Sequence, residues 1–333
     1  MSAPEMPAAQ FVDVGDGVRL AYYEAGPKTG LPIVLCHGFP ELAYSWRHQI
    51  KALADAGRWV IAPDQRGYGA SDRPEAVEAY DIAHLTGDMA RLLDHVGAKK
   101  AVFVGHDWGG IVVWQMPLRH ADRVAGVIGL NTPFMARAPA DPIEIMRKRL
   151  GEEMYIVHFQ KPGEADAVLA KDVGKAMSFF MRKPMPGTPP ATGGLSSDAE
   201  RPAGTSAFAL IRMLEAYDPS FDPRPTFLTP EEMAVFVDTF DRTGFTGGIN
   251  WYRNFTRNWR LAEGIADRVE VPSLMVMAEK DAVLPPSAAD GMEAFVPDLE
   301  KVLITDSGHW TQQEQPEAVN HAILDWLDRH FPR

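Results

Sequence analysis

The stretch Ala101-Val102-Phe103-Val104-Gly105-His106-Asp107-Trp108-Gly109-Gly110-Ile111-Val112-Val113-Trp114 decides how this chain folds. An apolar run rich in valine enters a G-x-D-x-G-G turn and leaves in a second apolar segment, which reads as strand, sharp turn, helix. Glycines beside the turn let the backbone bend tightly, and the central side chain is held out above the sheet edge, as in a nucleophile elbow. Serine is the usual occupant of that position. Here it is Asp107, and a carboxylate supports different chemistry.

Strand and helix signals alternate on both sides of this turn. Phe11-Val12-Asp13-Val14 and Val18-Arg19-Leu20-Ala21-Tyr22-Tyr23 flank Gly15-Asp16-Gly17, a hairpin signal. Pro32-Ile33-Val34-Leu35 is a continuously apolar run suited to a buried parallel strand, and it ends in His37-Gly38-Phe39-Pro40. A helical stretch from Trp46 to Ala56 leads to a strand at Arg58-Trp59-Val60-Ile61-Ala62 and the turn-rich Asp64-Gln65-Arg66-Gly67-Tyr68-Gly69-Ala70-Ser71. A helix over His84 to Val96 precedes the elbow strand. Val124 to Leu130 then gives one more strand, ending at Asn131-Thr132-Pro133. This alternation predicts an α/β fold, a mostly parallel sheet with helices on both faces.

The pattern breaks between Phe134 and Ile265, where no parallel strand is evident. Helical patches take over, such as Glu231 to Val237 after the start signal Thr229-Pro230, and Lys183 to Gly204 reads as a Pro/Gly-rich loop. Strands resume at Ser273 to Met277 and Val302 to Ile304, and a helix over Pro316 to His330 closes the chain. The expected division is a core of residues 1–133 and 266–333 with a helical lid, residues 134–265, inserted in it.

Composition narrows the partners. A chain of 333 residues has room for one large domain or for a core carrying a sizeable insertion. Its formal charge of -12 argues against nucleic acid, whose phosphates need clustered Lys and Arg. No apolar run approaches the roughly 20 residues of a membrane-spanning helix. Met1 to Pro7 lacks the basic and apolar segments of a signal peptide. The single Cys36 excludes an intramolecular disulfide and fits a reducing interior, so a cytoplasmic protein without membrane insertion is expected. No His/Cys/carboxylate spacing suggests a metal, and no cofactor is expected. Gly67 and Gly69 shape a turn rather than a phosphate loop, since no Lys-Ser/Thr follows them. A homo-oligomer is left open.

Three loops at the carboxyl ends of expected strands carry Asp107, Asp281 and His309, and open parallel sheets build their sites there. Nucleophile, acid, histidine is the α/β-hydrolase order. The alternative acid position, after the strand that follows the elbow, holds Asn131, which supplies no carboxylate. A carboxylate with a reference pKa near 3.9 is already ionised at neutral pH and attacks saturated carbon without losing a proton. The product is an alkyl-enzyme ester, which water must cleave. The histidine therefore serves as base for water, and Asp281 orients its imidazole. Backbone N–H groups of Phe39 and Trp108 are the expected oxyanion donors.

The leaving group comes next. A halide departs without a proton, whereas a strained epoxide leaves as an alkoxide and needs an acid. Two lid tyrosines, Tyr155 and Tyr252, are candidates, since a phenol of pKa near 10 is protonated at pH 7. Spacing alone does not single them out of eight tyrosines.

Taken together, His37 to Glu41, Asp64 to Ser71, Gly105 to Gly110, Tyr155 to Gln160 with Pro162-Gly163, Asn250 to Asn254, Ala278 to Asp281 and Gly308 to Trp310 resemble the α/β-hydrolase epoxide hydrolases of the soluble type, across nearly the whole chain. The resemblance implies Asp107 as nucleophile, Asp281 and His309 as the water-activating pair, Tyr155 and Tyr252 as acids on the epoxide oxygen, and a small-molecule epoxide as substrate. It implies nothing for Pro184 to Pro202.

Each residue also has a plainer reading. Asp107 begins a helix and could only cap it. Asp281 could be a solvated loop residue, with Asp306 and Glu279 as surface charges beside it. Tyr155 and Tyr252 could be lid core. His37, Phe134, Phe159, Trp251 and Trp310 are expected around an apolar pocket with Trp108, although His37 and His106 could instead pack beneath it. The rival enzyme is a haloalkane dehalogenase, which would favour a halide-binding side chain, often Asn, where Phe39 stands. A fluoroacetate-type dehalogenase would favour arginine where Trp108 stands. A non-catalytic ligand-binding member would be expected to have lost one of Asp107, Asp281 or His309; all three are present.

Overall fold

One eight-stranded sheet organises the computed structural model, which describes residues 5–185, 187–191 and 208–333. Its strands are Ala9–Asp13 (β1), Arg19–Ala25 (β2), Pro32–Cys36 (β3), Trp59–Pro63 (β4), Ala101–His106 (β5), Val124–Leu130 (β6), Ser273–Ala278 (β7) and Leu299–Ile304 (β8). They lie in the order β1-β2-β4-β3-β5-β6-β7-β8. The pairs β1–β2 and β2–β4 are antiparallel, and the others are parallel. The β1–β2 turn runs through Gly15, Asp16 and Gly17, all at positive φ.

Every residue of β3, β4 and β5 is buried, as the unbroken apolar runs require of strands covered on both faces. Period-two alternation sends their side chains into two separate cores. Ile33, Leu35, Val102 and Val104 pack with Trp46, Ile50 and Trp326, beneath helices Arg47–Asp55 (α1) and Pro316–His330, the last helix of the chain. Val34, Cys36, Ala101 and Phe103 pack on the opposite side, with Met89, Leu92 and Val112 of Ile82–His95 (α2) and Trp108–Arg119 (α3).

Between β6 and β7 lie eight α-helices among the described residues: Pro142–Leu150 (α4), Tyr155–His158 (α5), Glu164–Lys171 (α6), Val173–Phe180 (α7), Leu210–Ala216 (α8), Pro230–Thr243 (α9), Thr246–Arg253 (α10) and Phe255–Leu261 (α11). They form the inserted lid. The described part of this insertion holds no parallel strand, only an isolated antiparallel bridge between Arg182 and Thr226. Lys183 to Met185 and residues 187–191 carry no helix or strand, and the remainder of the expected 183–204 loop lies outside the described residues. Thr311–Glu314 (α12) precedes the closing helix (α13).

Two boundaries differ from expectation by three residues or more. Strand β8 begins three positions before the apolar run Val302 to Ile304, because Leu299-Glu300-Lys301 also pairs with Ser273-Leu274-Met275 of β7. Helix α9 extends six residues beyond Val237, from a Thr229/Glu232 capping box to the turn at Gly244.

Buried polar ties fasten lid to core. Arg47 Nε donates to Glu232 Oε1 at 2.7 Å, with both side chains almost fully enclosed. Trp251 Nε1 donates to the Arg66 carbonyl at 3.2 Å, and the Ile82 amide donates to Asn258 Oδ1 at 2.8 Å.

Candidate active site

The elbow between β5 and α3 is tight enough to exclude side chains. A Cβ on Gly105 would lie 2.2 Å from the Gly109 carbonyl oxygen, and one on Gly109 2.0 Å from that of Cys36. At its apex Asp107 adopts φ 52° and ψ -120°, a conformation that is uncommon outside glycine. Its carboxylate makes no hydrogen bond to the first turn of α3, so the capping reading does not hold. Oδ1 instead accepts the Phe39 N–H at 2.7 Å. Trp108 follows as the first residue of α3, where a backbone N–H has no partner within the helix.

The structure brings Asp281 and His309 to this carboxylate from the loops after β7 and β8. His309 Nε2 is 3.7 Å from Asp107 Oδ2, and Nδ1 is 2.8 Å from Asp281 Oδ2. Asp281 is buried rather than solvated, and its Oδ1 accepts the amides of Val283 and Leu284 at 2.9 and 3.0 Å. Burial opposes its charge, but the His309 imidazole, the Asn131 amide and the Leu284 N–H hold its pKa far below 3.8. Burial likewise opposes charge on His309, yet the carboxylates of Asp281 and Asp107 hold its pKa well above 6.5.

Several residues without an assigned role in the sequence reading complete the site. Asn131 Nδ2 donates to Asp281 Oδ2 at 2.7 Å, so the position lacking a carboxylate supports the one that has it. His106 lies beneath His309, with Nε2 2.6 Å from the His309 carbonyl oxygen and Nδ1 2.7 Å from Glu41 Oε2. Glu41, fully buried, also accepts the Gly38 amide and the side-chain amides of Gln312 and Gln313. Sequence offered only one hint: a glutamate closing the His37 to Glu41 motif.

Asp107, Tyr155, Tyr252 and Val283 stand where two cavity arms meet. One arm, of about 390 Å³, is walled by Trp108, Ile145, Met146, Phe255 and Trp259. The other, of about 470 Å³, is walled by Phe39, Phe179, Phe180, Met213 and Trp310, and it also reaches Asp281 and His309. Of the aromatic walls expected besides Trp108, Trp310 lines the cavity, Phe159 and Trp251 stand one layer behind it, and Phe134 lies in the core away from it. Phe159 backs Phe39, Tyr155 and Tyr252; Trp251 packs on Tyr68 and Trp108; Phe134 packs on Trp114 and Phe295. His37 is also buried, its Nε2 accepting the Gln65 amide at 3.1 Å. Phe159 and Trp251 are large enough to fill the space between lid and sheet, so they shape the lining without forming it.

The two lid tyrosines come from different helices, α5 and α10, with ring centroids 5.8 Å apart. Burial and the Asp107 charge push both phenols above 10, which keeps them protonated. Among the described residues, no cluster of three or more His, Cys, Asp or Glu side chains could hold a metal ion.

A nucleophile elbow after β5, with an acid and a histidine in the loops after β7 and β8, beneath an inserted helical lid, defines an α/β-hydrolase. Residues 32–316 match the family model for the alpha/beta hydrolase fold. The chain is 47% identical to epoxide hydrolase A of Mycobacterium tuberculosis over 96% of its own length and 97% of that protein. It is 40% identical to mouse bifunctional epoxide hydrolase 2 over 95% of its own length, spanning 55% of the mouse protein. It is also similar to the crystal structure of epoxide hydrolase A from Mycobacterium thermoresistibile, with a TM-score of 0.84 and 43% identity over 96% of this chain and 98% of that one. The chain belongs to the α/β-hydrolase epoxide hydrolases.

Proposed function

We propose that this enzyme converts an epoxide to a vicinal diol in two steps through an ester on Asp107. The observation carrying this reading is the Asp107 carboxylate, which faces a cavity lined by two protonated phenols and lies 3.7 Å from a histidine paired to a second carboxylate. In the first step an Asp107 oxygen attacks one epoxide carbon, the C–O bond breaks, and the oxygen takes a proton from Tyr155 or Tyr252. Phe39 holds Oδ1, leaving Oδ2 toward His309 as the attacking oxygen.

Esterification removes the Asp107 charge, one of the two anions that favour imidazolium at His309. The ring then gives up its proton, which returns to the phenolate left by the first step, and serves as base for water, taking the proton that water loses. Hydroxide adds to the ester carbon, and the resulting oxyanion develops on the oxygen already facing the Phe39 N–H, with Trp108 N–H as second donor. Collapse expels the diol oxygen, which takes the proton of the added hydroxyl, so that the diol leaves and the carboxylate is restored. We further propose the core as residues 1–133 and 266–333 and the lid as 134–265, because the helical insertion brings the acids and the sheet brings the nucleophile.

One turnover in heavy-oxygen water tests the route. Label is expected in Asp107, with the first diol carrying an oxygen from the protein; label appearing directly in that diol would overturn the ester. Release of halide from haloalkanes without turnover of epoxides would overturn the substrate class.

A further inference from the structure

The turn carrying His309 follows β8 and lies outside the sheet ladder, so its position depends on side-chain contacts. Its carbonyls are claimed by the core: His309 O accepts from His106 Nε2 and Asn131 Nδ2, and Gly308 O accepts from Thr311 Oγ1. Its amides converge on a single anion. Gly308 N–H donates to Glu314 Oε2 at 2.9 Å, and Trp310 N–H donates to Glu314 Oε1 at 2.9 Å. The two carboxylate oxygens thus grip both neighbours of the catalytic histidine. Glu314 itself is 5% exposed, at the end of α12, and touches none of the reacting atoms described above.

We propose that Glu314 is a positioning residue for ester hydrolysis, holding the His309 imidazole where a water between it and the Asp107 ester is in line for attack. The proposal rests on the ester route. Its asymmetry follows from the chemistry. Ester formation needs the Asp107 oxygen and the lid phenols, whereas hydrolysis alone needs His309 as base. A carboxylate can accept both N–H groups. A carboxamide of the same shape can accept only one, and its NH2 group opposes the other. Glu314→Gln therefore shifts the turn without emptying the site.

Rapid-quench measurement of the ester by intact-protein mass provides the test, with Glu314→Gln, Glu314→Asp and His309→Gln beside the wild type. In Glu314→Gln, ester formation stays within about threefold of wild type while ester decay falls roughly 10- to 100-fold, the cost of a misplaced catalytic group, so the ester accumulates. Glu314→Asp, which keeps both acceptors on a shorter arm, recovers part of the decay rate. It also provides the readout if the glutamine variant does not fold. Decay at the wild-type rate in both folded variants, or an equal fall in both steps, overturns the positioning role while the ester route stands. Absence of any ester in His309→Gln overturns the ester route and this proposal with it.

Discussion

Asp107 combines a backbone strain of about 1–3 kcal/mol with a side chain directed away from its own helix, and both follow from the close approach of β5, α3 and the loop after β3. Tyr155 and Tyr252 stand opposite, held protonated by burial and by the charge they face. Their joint removal, Tyr155→Phe with Tyr252→Phe, is expected to suppress ester formation by several orders of magnitude and leave thermal unfolding nearly unchanged. The burst of ester in a rapid-quench experiment reads the first effect, and unchanged epoxide turnover would reassign both rings to packing. The convergence of Asp107, Asp281 and His309 is legible in sequence because each stands in a short motif in the loop after a strand. Asn131 is not, since its partner Asp281 is 150 positions away and the residue type carries no charge to flag it. Glu41 and Glu314 escape for a related reason: their partners are backbone amides and side-chain amides that only the folded chain gathers.

Helix α9 shows how one element is both capped and anchored. Thr229 accepts the Glu232 amide at 3.2 Å, while the Glu232 side chain accepts the Thr229 amide at 2.8 Å and pairs with Arg47 of α1. Thr229→Ala should cost about 1 kcal/mol, the ordinary value of a lost N-cap. Glu232→Gln should cost more, about 3–5 kcal/mol, because it leaves the buried Arg47 guanidinium without its counter-charge. Denaturant melts of the two variants separate these contributions; equal losses would mean the Arg47 pair adds nothing. The Thr229-Pro230 start was legible from local sequence. The anchor was not, because Arg47 and Glu232 stand 185 residues apart. The early start of β8 was hidden similarly, by Glu300 and Lys301, whose charges mask a strand that pairs in full with β7.

For the molecule as a whole, the alternation of strands and helices and its interruption by an insertion were readable, because buried parallel strands and helices have different periods. The pocket walls were not, because an aromatic near the site can line a cavity or back it, and only packing decides. The site also contributes to the pH dependence of global stability. The Asp281 carboxyl titrates far below its unfolded value of 3.8, so the unfolded chain binds the proton more tightly. Its contribution is complete above about pH 5 and is lost as the pH falls toward its folded pKa. In Asp281→Asn the fall in melting temperature between about pH 5 and pH 3 should be shallower than in the wild type; parallel curves would remove Asp281 from the acid limb.

The two arms that meet at Asp107 differ little in volume, about 390 against 470 Å³. By the proposed ester route, an epoxide with different substituents on its two carbons can straddle Asp107 in either direction, and turning it end for end presents the other carbon for attack. Displacement inverts whichever carbon is struck, so the two placements of one epoxide enantiomer give diols of opposite handedness. The mirror-image ratio of the products is therefore a balance between the arms. A change in relative fit of about 1.4 kcal/mol tilts that ratio tenfold. Filling the smaller arm at Ile145 or narrowing the larger at Met213 weighs on opposite sides of it.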